Sequence, residues 1–123
     1  MPQFVVLHHD WPQPHYDFMV EREGVLWTWR WGHLPCLGEE FTAERIADHR
    51  IIYLDYEGPV SGDRGVVTRH DRGSCEVLSI DAKQLTLVLS GEKIRGQMVI
   101  DEPDAAVCRC RFLASPSSDG STG

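Results

Sequence analysis

Apolar residues in this chain come in short runs, or alternate with polar ones, and turn-forming residues separate the runs at close intervals. That is the pattern of an all-β protein. Residues 4–7 form a first strand, closed by the Asp-Trp-Pro-Gln-Pro segment at 10–14. Residues 15–21 form a second, polar at 15, 17 and 21 and apolar at 16, 18 and 20. Residues 25–31 form a third, with tryptophans 27, 29 and 31 on one face. Residues 42–49 are predicted as a helix, with Thr42 as its cap and Glu44 and Arg45 in its first turn. Strands are predicted at 51–55, 65–69, 75–80, 84–90 and 97–101, with Asp71-Arg72-Gly73 as a hairpin turn. Residues 106–113 read as a last, edge strand. The domain is expected to span 1–113, followed by a disordered Ser/Gly-rich tail at 114–123.

Turn chemistry fixes one register. Glu23-Gly24 suits a two-residue hairpin turn. It sets Arg22 opposite Val25, Val20 opposite Trp27, Phe18 opposite Trp29 and Tyr16 opposite Trp31. One face of the hairpin is then wholly aromatic or aliphatic. The other carries His15, Asp17, Met19 and Glu21 beside Leu26, Thr28 and Arg30. A three-residue loop would mix the tryptophans with His15 and Asp17, so the two-residue turn is preferred.

Charge and cysteine content narrow the function class. The 123 residues carry a net charge of −7, opposite to that of a protein with a broad basic surface for duplex binding. A small phosphate-reading site with its own local charge is compatible with it. No apolar run is long enough to span a membrane, and the opening Met-Pro-Gln shows no basic flank with an apolar stretch, so no signal peptide is expected. Cys36, Cys75, Cys108 and Cys110 are too few and scattered for a disulfide scaffold. A cytoplasmic location is the expectation.

The densest group of potential ligands is His8, His9, Asp10, His15 and Asp17. His15 and Asp17 lie two apart on a strand and share a face. His9 reaches the same patch across the proline-containing connection. Two imidazoles and a carboxylate make a three-point site for a divalent cation such as Mn²⁺ or Zn²⁺. The competing reading is of surface histidines beside a turn. His49 and Tyr53 form a second pair able to donate hydrogen bonds to phosphate; the competing reading is a buried tyrosine with a capping histidine. His33 and His70 read as structural or exposed. Cys108 and Cys110 read as core or edge cysteines. Gly58, Gly62 and Gly65 lie in a glycine-rich turn that lacks the Lys-Ser/Thr of a P-loop. No Gly-x-Ser-x-Gly marks a serine hydrolase.

The stretch HHDWPQPHYDFMVEREGVLWTW resembles the opening of the 3′-phosphoesterase domain of bacterial DNA ligase D and its stand-alone relatives. DHRIIYLDYEG, HDRGSCE and LSGEKIRGQMVI are similar to later segments of that family, in the same order. The resemblance implies a compact antiparallel β-barrel with a polar interior and one or two short flanking helices. It implies a manganese-dependent enzyme, with Zn²⁺ or Co²⁺ as other metals, that removes a 3′ ribonucleoside and then the 3′ phosphate from DNA primer-template ends. By position, its metal ligands fall on His9, His15 and Asp17, and its phosphate-contacting pair on His49 and Tyr53. Polymerase or ligase partners would be separately encoded, and the chain is expected to be a monomer.

Two departures stand out. Met19 occupies the place of a family arginine that contacts phosphate, and a family lysine after the third strand is missing near Gly32-His33-Leu34. Losing a charge-assisted phosphate contact costs about 1.5–3 kcal/mol. Arg30, opposite Asp17 and diagonal to Met19, is a candidate to supply the guanidinium; pairing with Asp17 or Glu21 is its alternative role. Glu21 is a candidate to orient a ligand or a bound water from behind. His49 would serve as general acid or phosphate stabiliser. Ligand histidines must be neutral, so activity is expected to fall in acid. The rivals are an end-binding module without chemistry and a phosphoesterase acting on RNA ends or a small phosphate ester.

Overall fold

The computed structural model describes residues 2–115. Nine strands follow in chain order: β1 (Gln3–His9), β2 (His15–Arg22), β3 (Val25–Trp31), β4 (Glu39–His49), β5 (Gly58–Pro59), β6 (Val66–Ile80), β7 (Gln84–Gly91), β8 (Arg95–Asp101) and β9 (Val107–Leu113). One 3₁₀ helix, Ile51–Leu54, lies between β4 and β5. The sheet runs β1-β2-β3-β4-β9-β8-β7-β6 and closes through β6 onto β1, every pairing antiparallel. The pattern implies an all-β chain and the resemblance an antiparallel barrel; the structure is mainly β, a closed barrel of eight strands. The expected tail lies outside the described residues from position 116 on.

Two-residue periodicity decides which side chains fill the barrel. Phe4 and Val6 of β1, Phe18 and Val20 of β2, and Trp29 and Trp31 of β3 point inward. There they meet Phe41, Leu85, Leu87, Leu89, Met98, Ile100 and Phe112 from the remaining strands. Phe18 stacks on Trp31 with centroids 4.7 Å apart, and the indole N–H of Trp29 donates to the Pro103 carbonyl. The expected polar interior is therefore corrected: the interior is apolar, and polar chemistry lies on the outer wall. Cys75, Cys108 and Cys110 belong to this core. Burial raises the Cys75 thiol pKa to about 11 and that of Cys110 to about 12, which leaves them unreactive packing groups.

The β2–β3 hairpin has the expected register at every rung from Tyr16–Trp31 to Arg22–Val25. Glu23 and Gly24 both adopt positive φ, as the tight turn requires.

Four local expectations are corrected. Residues 42–49 are not a helix but most of β4, hydrogen-bonded to β3 on one side and β9 on the other. Phe41 and Ala43 point inward while Thr42 and Glu44 face out, and closing the barrel outweighs the helical preference of Glu44 and Arg45. The strand expected at 51–55 is instead the 3₁₀ helix Ile51–Leu54, capped by Asp55, which sets Leu54 against the barrel wall. Asp71-Arg72-Gly73 is no turn: β6 runs through it, pairing first with β1 and then with β7. For the same reason of closure, β9 is not an edge but sits between β4 and β8.

The outer wall near the 3₁₀ helix carries a second apolar cluster of Val5, Leu7, Met19, Leu26, Leu54 and Val67, flanked by Tyr53 and Tyr56. β1 is thus apolar on both faces, which explains its unbroken Phe-Val-Val-Leu run. Met19 is 1% exposed beneath this cover. This cluster seats the 50–60 segment, and it ends where His9 and Asp17 begin.

Candidate metal centre and phosphate groove

His9 ends β1 directly opposite His15, which begins β2, and Asp17 follows two residues on. Strand pairing, not the loop, therefore brings the three together. Asp17 Oδ1 lies 3.1 Å from His15 Nε2, and its Oδ2 lies 3.5 Å from His9 Nδ1. One potential ligand atom from each residue lies within 4.8 Å of the other two. His15 and Asp17 are almost wholly buried. His15 Nε2 and Asp17 Oδ1 have no hydrogen-bond partner of acceptable geometry, although they are close. Two buried, mutually facing and unsatisfied ligand atoms are costly without something between them.

The far nitrogen of each ring is tied down. His9 Nε2–H donates to the Arg64 carbonyl at 2.8 Å, and His15 Nδ1–H donates to the Gln13 carbonyl at 2.8 Å. Carbonyls only accept, so in the neutral form each ring presents its other nitrogen as a lone pair toward Asp17. This is the support that ligating histidines use. The Asp17 carboxylate, acting against burial, raises the His15 pKa above that of ordinary imidazole. A divalent cation and that proton compete for one atom. The donor set, two imidazoles and one carboxylate, fits a borderline cation and leaves coordination positions open.

The support for His9 comes from a loop with its own latch. Asp10 Oδ1 accepts the Val66 N–H at 2.7 Å, and the Asp10 N–H donates to the Val66 carbonyl. Gly65 sits at φ +80, and a Cβ there would run into Asp10 Oδ1 and Trp11 Cβ. Gly65→Ala is therefore expected to push the loop outward and withdraw the Arg64 carbonyl from His9. Titration calorimetry with Mn²⁺ should show affinity about 10–100-fold weaker; unchanged affinity would show that the latch does not set the site.

A groove of about 420 Å³ opens beside the cluster, lined by His9, Asp17, Arg30, His49, Tyr53 and Arg64 among others. His49 ends β4, and its ring packs edge-on against Tyr53 at 5.5 Å. Its Nδ1–H is shared between the Ala47 carbonyl at 2.9 Å and Thr28 Oγ1 at 3.1 Å. The Thr28 hydroxyl donates to Leu26 and so can only accept from His49. Nε2 is left as the atom free to take or give a proton. Arg30 stands opposite Asp17, and its Nε is buried without a partner. None of the ion pairs among the described residues uses it.

The structure thus brings His9, His15, Asp17, Arg30, His49 and Tyr53 to one place on the outer wall. It does not bring Glu21 there: its carboxylate accepts the Gln3 N–H at 3.0 Å, toward the hairpin end of β2, so an orienting role behind the ligands is corrected. His8 points to the opposite face, packing against Tyr16. Arg50 and Arg64, which the sequence reading passed over, also line the groove. Despite the net charge of −7, the groove gathers three arginines.

Residues 7–101 match the DNA ligase D 3′-phosphoesterase domain, and the chain belongs to that family. The class so defined is a phosphoesterase-type domain. Over 105 residues it is 31% identical to the multifunctional non-homologous end joining protein LigD of Pseudomonas aeruginosa, an alignment covering 77% of this chain and 12% of that protein. The LigD proteins of Mycobacterium bovis and Mycobacterium tuberculosis are each 37% identical over 68 residues, or 50% of this chain and 9% of theirs. The chain therefore spans only a small fraction of these relatives. Among the described residues no helix is long and apolar enough to cross a membrane.

Proposed function

We propose that this protein is a metal-dependent 3′-phosphoesterase that converts blocked DNA 3′ ends, bearing a phosphate or a terminal ribonucleoside, to 3′-hydroxyls. Family membership supports the reaction class. The observation that carries the reading is the His9–His15–Asp17 set with its ring tautomers fixed, at the edge of a groove that also holds His49, Tyr53 and Arg30. When bound there, Mn²⁺ or a similar cation would supply Lewis acidity toward a phosphate oxygen.

The remaining chemistry falls to the protein. His49 Nε2 faces the groove and, when protonated, can give its proton to the leaving oxygen, with Nδ1 anchored to Ala47 and Thr28. The Tyr53 hydroxyl orients a non-bridging oxygen. The Arg30 guanidinium, unpaired and partly desolvated, offers a charge-assisted contact to phosphate. Its place on the strand next to Met19 lets it serve where the family arginine is absent, since Met19 itself is committed to the apolar cluster under the 3₁₀ helix. The partners would be primer-template ends and the ligase or polymerase that uses the 3′-hydroxyl.

Arg30→Ala should lower kcat/KM for phosphate release from a DNA 3′-phosphate by about 10–150-fold, matching the loss of one such contact at about 1.5–3 kcal/mol. Arg30→Lys should restore part of it. Full activity in Arg30→Ala would assign the guanidinium to its neighbouring carboxylates instead. Buried Met19 favours a second reading, an end-binding module without turnover. Comparing rates on DNA ends and on a small phosphate ester at rising salt separates the substrate classes. The DNA reaction should weaken with salt, and equal insensitivity of both would favour the small ester.

A further inference from the structure

Arg30 borders a second groove, of about 500 Å³, which the chemistry above does not use. The first groove runs from Arg30 toward His49; this one lies on the other side, toward Gly32 and Thr42, and shares His15 with the cation cluster. Its floor is the outer face of β3, β4 and β9. The strand registers place Asp17, Arg30, Glu44 and Val107 in one row across that face. Phosphorus held at the junction, beside Arg30 and the cluster, would therefore have a groove on each side.

The two grooves differ in chemistry. The first sets three arginines, Arg30, Arg50 and Arg64, against two carboxylates, Asp17 and Asp48, an excess of positive charge that suits a polyanionic strand. In the second, Arg30 is the only arginine or lysine, Glu44 adds a carboxylate, and Pro12, Pro14 and Val107 supply flat or apolar surface. Val107 is 61% exposed, although it is a large hydrophobic side chain on a barrel strand. Another phosphate would meet Glu44 there. A neutral group with a flat apolar face and hydroxyl or amino donors would not, because Glu44 and Thr42 can accept from it.

We infer that the second groove holds the terminal nucleoside of a 3′-end phosphodiester, an inference that rests on the phosphoesterase reading. In that reaction the oxygen of water joins phosphorus and the bond to the nucleoside's 5′ oxygen breaks. That oxygen takes up a proton, and the phosphate stays on the chain end. A phosphate monoester has no second arm and leaves this groove vacant. The groove therefore serves removal of the nucleoside and not the later release of phosphate.

Val107→Trp fills the groove from an exposed strand position. Rates on a primer-template ending in one 3′ ribonucleotide and on one ending in a 3′ phosphate are compared as a ratio. The ratio should fall at least about tenfold in Val107→Trp and stay at the wild-type value in Leu78→Trp, an exposed position on β6. An unchanged ratio in Val107→Trp overturns the inference. In parallel, adenosine 5′-monophosphate is titrated into the wild-type protein while the amide resonances of Gly32, Thr42 and Val107 are followed. Shifts at these amides that vanish in Val107→Trp support the groove even if neither end is processed, in which case the phosphoesterase reading fails alone. Shifts confined to the arginine-lined groove reject the nucleoside site.

Discussion

His15→Ala is expected to abolish specific Mn²⁺ binding and, with it, end processing, while the barrel stays folded. His15 supplies one of three ligand atoms, and without it only His9 and Asp17 remain, 3.5 Å apart, with the His15 side of the carboxylate open. Affinity should drop by more than the roughly 10–100-fold that follows loss of a mere supporting contact. The fold should survive because His15 lies at the first residue of β2, outside both apolar clusters. Truncation also relieves a crowded, poorly satisfied pair with Asp17. Calorimetric titration with Mn²⁺, alongside a thermal melt, checks both halves. Retained affinity would move the metal elsewhere, and a collapsed melt would make His15 a structural residue.

The largest stability effect is expected far from the site, at Asp71. This carboxylate is 3% exposed and accepts three backbone N–H groups from the turn between β7 and β8. Oδ1 takes Glu92 at 2.9 Å, and Oδ2 takes Ile94 at 2.7 Å and Lys93 at 3.1 Å. It fastens the corner where β6 leaves β1 for β7. Asp71→Ala removes three charge-assisted bonds and strands at least the Ile94 N–H, a loss of about 3–4 kcal/mol. For a domain of this size that lowers Tm by about 10–20 °C. Asp71→Asn keeps one acceptor but sets an amide N–H₂ against N–H donors, so it should fall between the two. A shift of a degree or two in Asp71→Ala would mean that the turn is held by its ladder alone.

Particular residues show what the sequence made legible. The β2–β3 register follows from Glu23-Gly24 and strict alternation, because a slip of one would expose three tryptophans. The ligand set was legible for a related reason: His15 and Asp17 are two apart on a strand. β4 reads locally as a helix because its outward residues, Thr42, Glu44 and Asp48, are the polar types that also open helices, and only closure between β3 and β9 decides against one. Asp71-Arg72-Gly73 looks like a turn locally, yet its carboxylate caps a turn twenty residues on. The Arg64 and Gln13 carbonyls that fix the two ligand rings leave no side-chain signature at all. Glu21 shares a face with Asp17, but its distance along the strand hands it to Gln3.

The central question is whether this groove performs the chemistry that its residues are arranged for. The most direct test is single-turnover release of phosphate from a primer-template bearing a 3′ phosphate, with Mn²⁺ or with chelator, and with His49→Ala and Tyr53→Phe run beside the wild type. Release is expected to require the cation, with a large loss in His49→Ala and a smaller one in Tyr53→Phe. No release by a wild-type protein that binds both Mn²⁺ and the DNA end would contradict this, and would make the protein a reader of 3′ ends instead of an enzyme that repairs them.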